Sequence, residues 1–70
     1  MEQTMYQPGD VIVFNGGGGV RLIGVVWESL GSDYRVLPDQ VDRMWVIHPH
    51  EIEKKIGTVD LHAVEQVRFP

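Results

Sequence analysis

Turn chemistry punctuates this chain at short intervals and leaves room only for short extended segments. Pro8-Gly9-Asp10, Asn15 with Gly16, Gly17, Gly18 and Gly19, Ser29 to Asp33, and Pro38 to Asp42 each gather residues that preset or accept turn dihedrals. Between them lie runs rich in β-branched and aromatic residues: Val11 to Phe14, Val20 to Glu28, Tyr34 to Leu37 and Arg43 to His48. Pro49 stops the fourth run, His50-Glu51-Ile52 suits one 3₁₀ turn, and Glu53 to Ile56 returns as a fifth strand closed by Gly57. An all-β, five-stranded domain is the expectation.

Side-chain alternation assigns faces. In the second run Val20, Leu22 and Val26 share one side and Ile23, Val25 and Trp27 the other; in the fourth, Met44, Val46 and His48 oppose Trp45 and Ile47. Gly24 sits inside the second run, where a glycine marks a bend or a bulge. A bent second strand is what a small sheet needs to curl around its own core.

Size sharpens the demand on that core. Seventy residues without a cysteine have neither disulfide nor thiolate metal site to lean on. The apolar fraction of 43% is that of a folded domain. A net charge of −4 argues against nucleic acid, whose affinity comes mainly from neutralised phosphates. Met1 to Tyr6 has no basic flank and no apolar run, so no signal peptide is expected, and no stretch is long enough to cross a bilayer as a helix. A cytoplasmic, non-membrane protein of a bacterium or phage is the expectation.

The order of elements resembles the SH3-like small β-barrel, carried by Pro8-Gly9-Asp10-Val11-Ile12-Val13, Gly24-Val25-Val26, Tyr34-Arg35-Val36-Leu37, and Trp45 to Pro49 leading to Ile52 and Ile56. That resemblance implies a barrel over residues 1–57 and a C-terminal arm or extra strand over 58–70. Small prophage and bacterial SH3-like proteins are similar in length. The opening strand and the Tyr34 to Leu37 run also resemble the RNA-polymerase-interacting domain of CarD-type transcription regulators, although Asn15 stands where that family has its proline. Ile47-His48-Pro49 and Ile56 match the spacing of plasmid type II dihydrofolate reductase. Val46 and His48 replace the glutamine and tyrosine of that enzyme, so the resemblance implies the fold and not the activity.

No catalytic constellation emerges. Gly19 and Gly24 have the separation of a Walker loop, but Val25 and Val26 follow where lysine and a hydroxyl residue are needed. His48 and His50 are two apart across Pro49, and no third ligand has a diagnostic zinc spacing. No metal and no cofactor are expected. The aspartates at 33, 39 and 42 suit turns, and Lys54, Lys55 and Arg43 form a small basic spot. The residues singled out for partner binding are Gly16, Gly17, Gly18 and Gly19 as a mobile loop, Asp33 in the following turn, and Trp27 and Trp45 as aromatic anchors.

These features favour a non-enzymatic module that binds another protein, a small phage or bacterial regulator or inhibitor. Transcription- or translation-linked binding of nucleic acid or RNA polymerase is the alternative, and an oligomeric reductase-like enzyme a minor one. The tail carries Val59, Leu61, Val64, Val67 and Phe69. It reads either as a strand-like arm or as a helix capped by Asp60, packed on its own barrel or exchanged in a homodimer through residues 58–69.

Overall fold

The computed structural model describes residues 5–39 and 41–62. Within them the chain is all-β. The strands are β1 (Asp10–Asn15), β2 (Arg21–Ser29), β3 (Tyr34–Pro38), β4 (Trp45–Ile47) and β5 (Ile52–Thr58), with one 3₁₀ turn (Pro49–Glu51) before the last. Every pairing is antiparallel and the order across the sheet is β4-β3-β2-β1-β5. β4 and β5 are the two edges and do not pair, so the sheet is open.

The sheet is nevertheless curled. A flat sheet would set β4 and β5 about 19 Å apart, four steps of about 4.8 Å. Even fully extended, the chain from Ile47 to Ile52 reaches only about 17 Å, and its 3₁₀ turn shortens it further. The edges must therefore approach. One core results, to which all five strands contribute: Ile12 and Phe14 from β1, Val26 from β2, Tyr34 and Val36 from β3, Ile47 from β4 and Ile52 from β5, with Tyr6, Leu22 and Trp45 packed against it.

β2 makes the curl. Its central residues pair on both sides, Gly24 with Ile12 and Pro38, Val25 with Val11 and Leu37. A Cβ on Gly24 would stand 2.7 Å from Val36 Cγ1, 2.9 Å from the Leu37 carbonyl oxygen and 3.0 Å from Phe14 Cε1. The glycine is what lets β3 and the Phe14 ring close over this point. The register break lies further along: Val26 pairs with Val36 and Glu28 with Arg35, leaving Trp27 as the extra residue of a bulge. Beyond it Glu28 and Arg35 form a cross-strand ion pair of 2.8 Å.

The Pro8-Gly9-Asp10 turn ties β2 to the end of β5 across the start of β1. Gly9 has φ of 98°, donates its N–H to the Val26 carbonyl at 2.8 Å and accepts from the Val59 N–H at 2.8 Å. Asp10 is buried; its Oδ2 accepts the Gln7 N–H at 2.9 Å and its Oδ1 stands 3.2 Å from Lys55 Nζ. The aspartate thus closes the turn that launches β1.

Several boundaries differ from the sequence expectation. The fourth strand is three residues, not Arg43 to His48, because residues 42 and 43 bend and His48 gives its N–H to Glu51 Oε1 at 3.0 Å rather than to a ladder. The 3₁₀ turn accordingly starts at Pro49, one residue earlier than expected, and β5 runs through Gly57 to Thr58. After β5, Asp60 Oδ1 accepts the His62 N–H at 3.0 Å and residues 61 and 62 are helical. The remainder of the tail, with Val64, Val67 and Phe69, lies outside the described residues. No helix among the described residues is long and apolar enough to cross a membrane.

Candidate functional site

Three segments converge at one end of the curled sheet. The chain before β1 lays Tyr6 edge-on against Tyr34, ring centroids 5.7 Å apart at 87°, and the Tyr6 N–H donates to the Tyr34 hydroxyl oxygen at 3.3 Å. The β2–β3 turn is closed by the Leu30 N–H donating to the Asp33 carbonyl at 2.8 Å and needs Gly31 at φ of 85°. The 3₁₀ turn brings His48, Pro49 and His50, and the Glu51 N–H closes it onto the His48 carbonyl at 2.9 Å. Together they wall an open groove of about 630 Å³, lined by Met5, Tyr6, Gly31, Ser32, Tyr34, His48, Pro49, His50, Ile52 and Glu53.

A second, smaller groove of about 300 Å³ shares His50, Ile52 and Glu53 with the first. It ends at Asn15, Gly19 and Arg21, beside the glycine run. His50, Ile52 and Glu53, in the 3₁₀ turn and at the start of β5, border both grooves, which together are called the channel.

Chemically the channel is aromatic and imidazole-walled with carboxylates at its margins. The His48 and His50 rings lie 4.3 Å apart, tilted by 49°. Arg21 Nε is 2.8 Å from Glu53 Oε2. Asp33 Oδ1 is sealed from solvent and accepts no hydrogen bond; His48 Nε2 is 3.8 Å away, within ion-pair range but beyond hydrogen-bond reach. Among the described residues no three histidine or carboxylate side chains gather as a metal-ligand set.

The residues expected from the sequence are placed unevenly. The four glycines form a defined hairpin. The Gly16 N–H donates to the Val20 carbonyl at 2.7 Å and the Val20 N–H to the Gly17 carbonyl at 3.0 Å, while Asn15 Oδ1 accepts the Gly17 N–H at 2.9 Å. Gly17, Gly18 and Gly19 have φ of 99°, 60° and 79°, so the two central residues both have the positive φ that a type I′ turn requires. Only Gly19 of the four lines the channel. Asp33 stands behind His48 at the other end. Trp45 packs edge-to-face on Phe14 at 6.1 Å and 69° as part of the core periphery, and half-buried Trp27 occupies the β2 bulge. Neither lines the channel, and among the described residues no ring contact joins them.

Sequence reasoning weighed His48 and His50 for zinc, but not as walls of a groove shared with Tyr6. The available signal was the proline between the histidines, which forces the turn that carries both rings to the same end as Tyr6.

No family model, curated protein or solved structure matches the chain.

Proposed function

We propose that this chain is a non-enzymatic protein-binding module on an SH3-like barrel, and that it takes an extended segment of a partner protein in the channel between Tyr6, the β2–β3 turn and the 3₁₀ turn. The strand order, with β5 returning beside β1 after a 3₁₀ turn, supports the SH3-like reading. The observation that carries the functional reading is the channel itself. It is open and walled by tyrosine, proline and histidine, the amphipathic flat side chains that give contact area at low entropy cost. Its walls come from three separate segments held by the backbone hydrogen bonds of their turns, so the site is preformed. Small bacterial or phage regulators that act through a host protein are the class this suits.

Photo-cross-linking tests it. A photoreactive residue placed at Ser32 or at His50, both exposed on the channel, should trap a discrete partner in cells, whereas one at exposed Thr58 should not. Equal trapping from Thr58, or trapping from neither channel position, refutes the assignment.

A further inference from the structure

The charge along the channel says what kind of segment it takes. Three carboxylates border it: Glu53 lines both grooves, Glu51 lines the smaller, and Asp33 stands behind His48 at the opposite end. Among the described lining residues the one guanidinium is Arg21, and its Nε is already engaged with Glu53 at 2.8 Å. The chain as a whole carries −4. With Arg21 offsetting Glu53 and the histidines counted as neutral, Glu51 and the adjacent Asp33 leave the channel anionic.

Asp33 makes one end distinctive. Its Oδ1 is removed from water yet accepts no hydrogen bond, and the nearest charged-partner atom is the imidazole Nε2 at 3.8 Å. The Asp33 side chain as a whole is 35% exposed, so its charge is partly screened, but this oxygen has no donor of its own and borders the groove only through His48. The two imidazoles beside it, 4.3 Å apart, supply flat surfaces. A planar guanidinium is suited to both features: it is more weakly hydrated than an ammonium and it stacks on rings. An acidic segment would meet like charge from Glu51 and from Asp33 beside His48.

We propose that the channel selects a partner segment bearing an arginine, whose guanidinium seats against His48 and His50 between the Asp33 and Glu53 carboxylates. This rests on the reading of the channel as a protein-binding site and adds the chemistry of its occupant.

The probes are three capped tripeptides at low ionic strength, Gly-Arg-Gly, Gly-Leu-Gly and Gly-Glu-Gly, titrated into the ¹⁵N-labelled full chain. The arginine peptide should shift the amides of residues 31 to 34 and of His48, His50 and Glu53, and the glutamate peptide should not. Asp33→Asn and Glu53→Gln, each checked for an unchanged amide spectrum elsewhere, should weaken arginine-peptide binding by about tenfold when combined. If the leucine or glutamate peptide shifts the same amides as strongly, the channel remains a binding site and the charge selection is wrong. If the arginine peptide shifts only residues away from the channel, or none, the inference falls, while the cross-linking result at Ser32 and His50 decides the broader reading separately. Arginine binding that survives the double variant undiminished also overturns it.

Discussion

Gly24→Ala should be among the most damaging one-carbon changes available in this protein. The added Cβ meets three groups at once: Val36 Cγ1 at 2.7 Å, the Leu37 carbonyl oxygen at 2.9 Å and Phe14 Cε1 at 3.0 Å. Val36 and Phe14 are fully buried, so neither side chain has free space to retreat into. The carbonyl belongs to the β3 backbone, which pairs with Gly24 and Val25. Relief therefore requires β2 and β3 to part, and overpacking of this kind costs about 1–3 kcal/mol. The intrinsic gain of alanine over glycine in a strand, about 0.5–1 kcal/mol, offsets only part of it. A net loss of about 1–2 kcal/mol is the expectation, large for a domain this size. Gly57→Ala is the matched control, because a Cβ there meets nothing within 4 Å. Urea unfolding of both variants beside the parent measures the difference. If Gly24→Ala unfolds at the parent's midpoint, or if Gly57→Ala loses as much, the close approach at Gly24 is not what holds the curl.

Other substitutions follow the same logic. Gly18→Ala meets no neighbour within 4 Å but must adopt φ of 60°, so it should cost about 1 kcal/mol, read by urea unfolding, and no cost would contradict the hairpin geometry. Asp10→Ala removes the acceptor of the Gln7 N–H from a buried site and should lose about 1–3 kcal/mol, whereas Lys55→Met, which removes a half-exposed partner, should lose less by the same thermal or urea melt. Trp45→Ala should destabilise by about 2–3 kcal/mol, since the ring packs on Phe14 and the core, so a partner lost in that variant reports folding rather than contact.

The sequence made the strands legible because each is bounded by turn chemistry with a local physical cause. Pro8-Gly9-Asp10, Gly31 and Pro49 all act where their dihedral or hydrogen-bonding restrictions predict. The core face was legible only in part: alternation separates Val26 from Trp27 and Ile47 from Val46, but every side chain from Val11 to Phe14 is apolar, so the burial of Ile12 and Phe14 is read from the structure. What alternation does not carry is cross-strand register. The bulge at Trp27 depends on how β2 slides against β3, and the two register shifts between β1 and β5 leave Glu53 and Ile56 as extra residues. Trp27 and Trp45 were singled out as large aromatic anchors, yet curling the sheet moves Trp45 onto the core edge and leaves both off the channel. Conversely, Tyr6 is far from His48 and His50 in sequence and lines the same groove because the 3₁₀ turn joins the two sheet edges.

The same register shifts bear on self-association. β4 offers an edge of three residues, and β5 is interrupted twice and carries Glu53, Lys54 and Lys55. Short, bulged and charged edges resist the addition of another strand. Sedimentation of the full chain should therefore show no dimer formed through β4 or β5; a dimer abolished by proline at an exposed β5 position would contradict this.

Hydrogen–deuterium exchange on the complex with a cross-linked or captured partner tests the central claim most directly. The account predicts slowed exchange at Tyr6, residues 31 to 34 and residues 48 to 53, with Trp27, Val46 and Thr58 unchanged. Protection centred on Trp27 and Val46, with the channel exchanging as in the free protein, would contradict it.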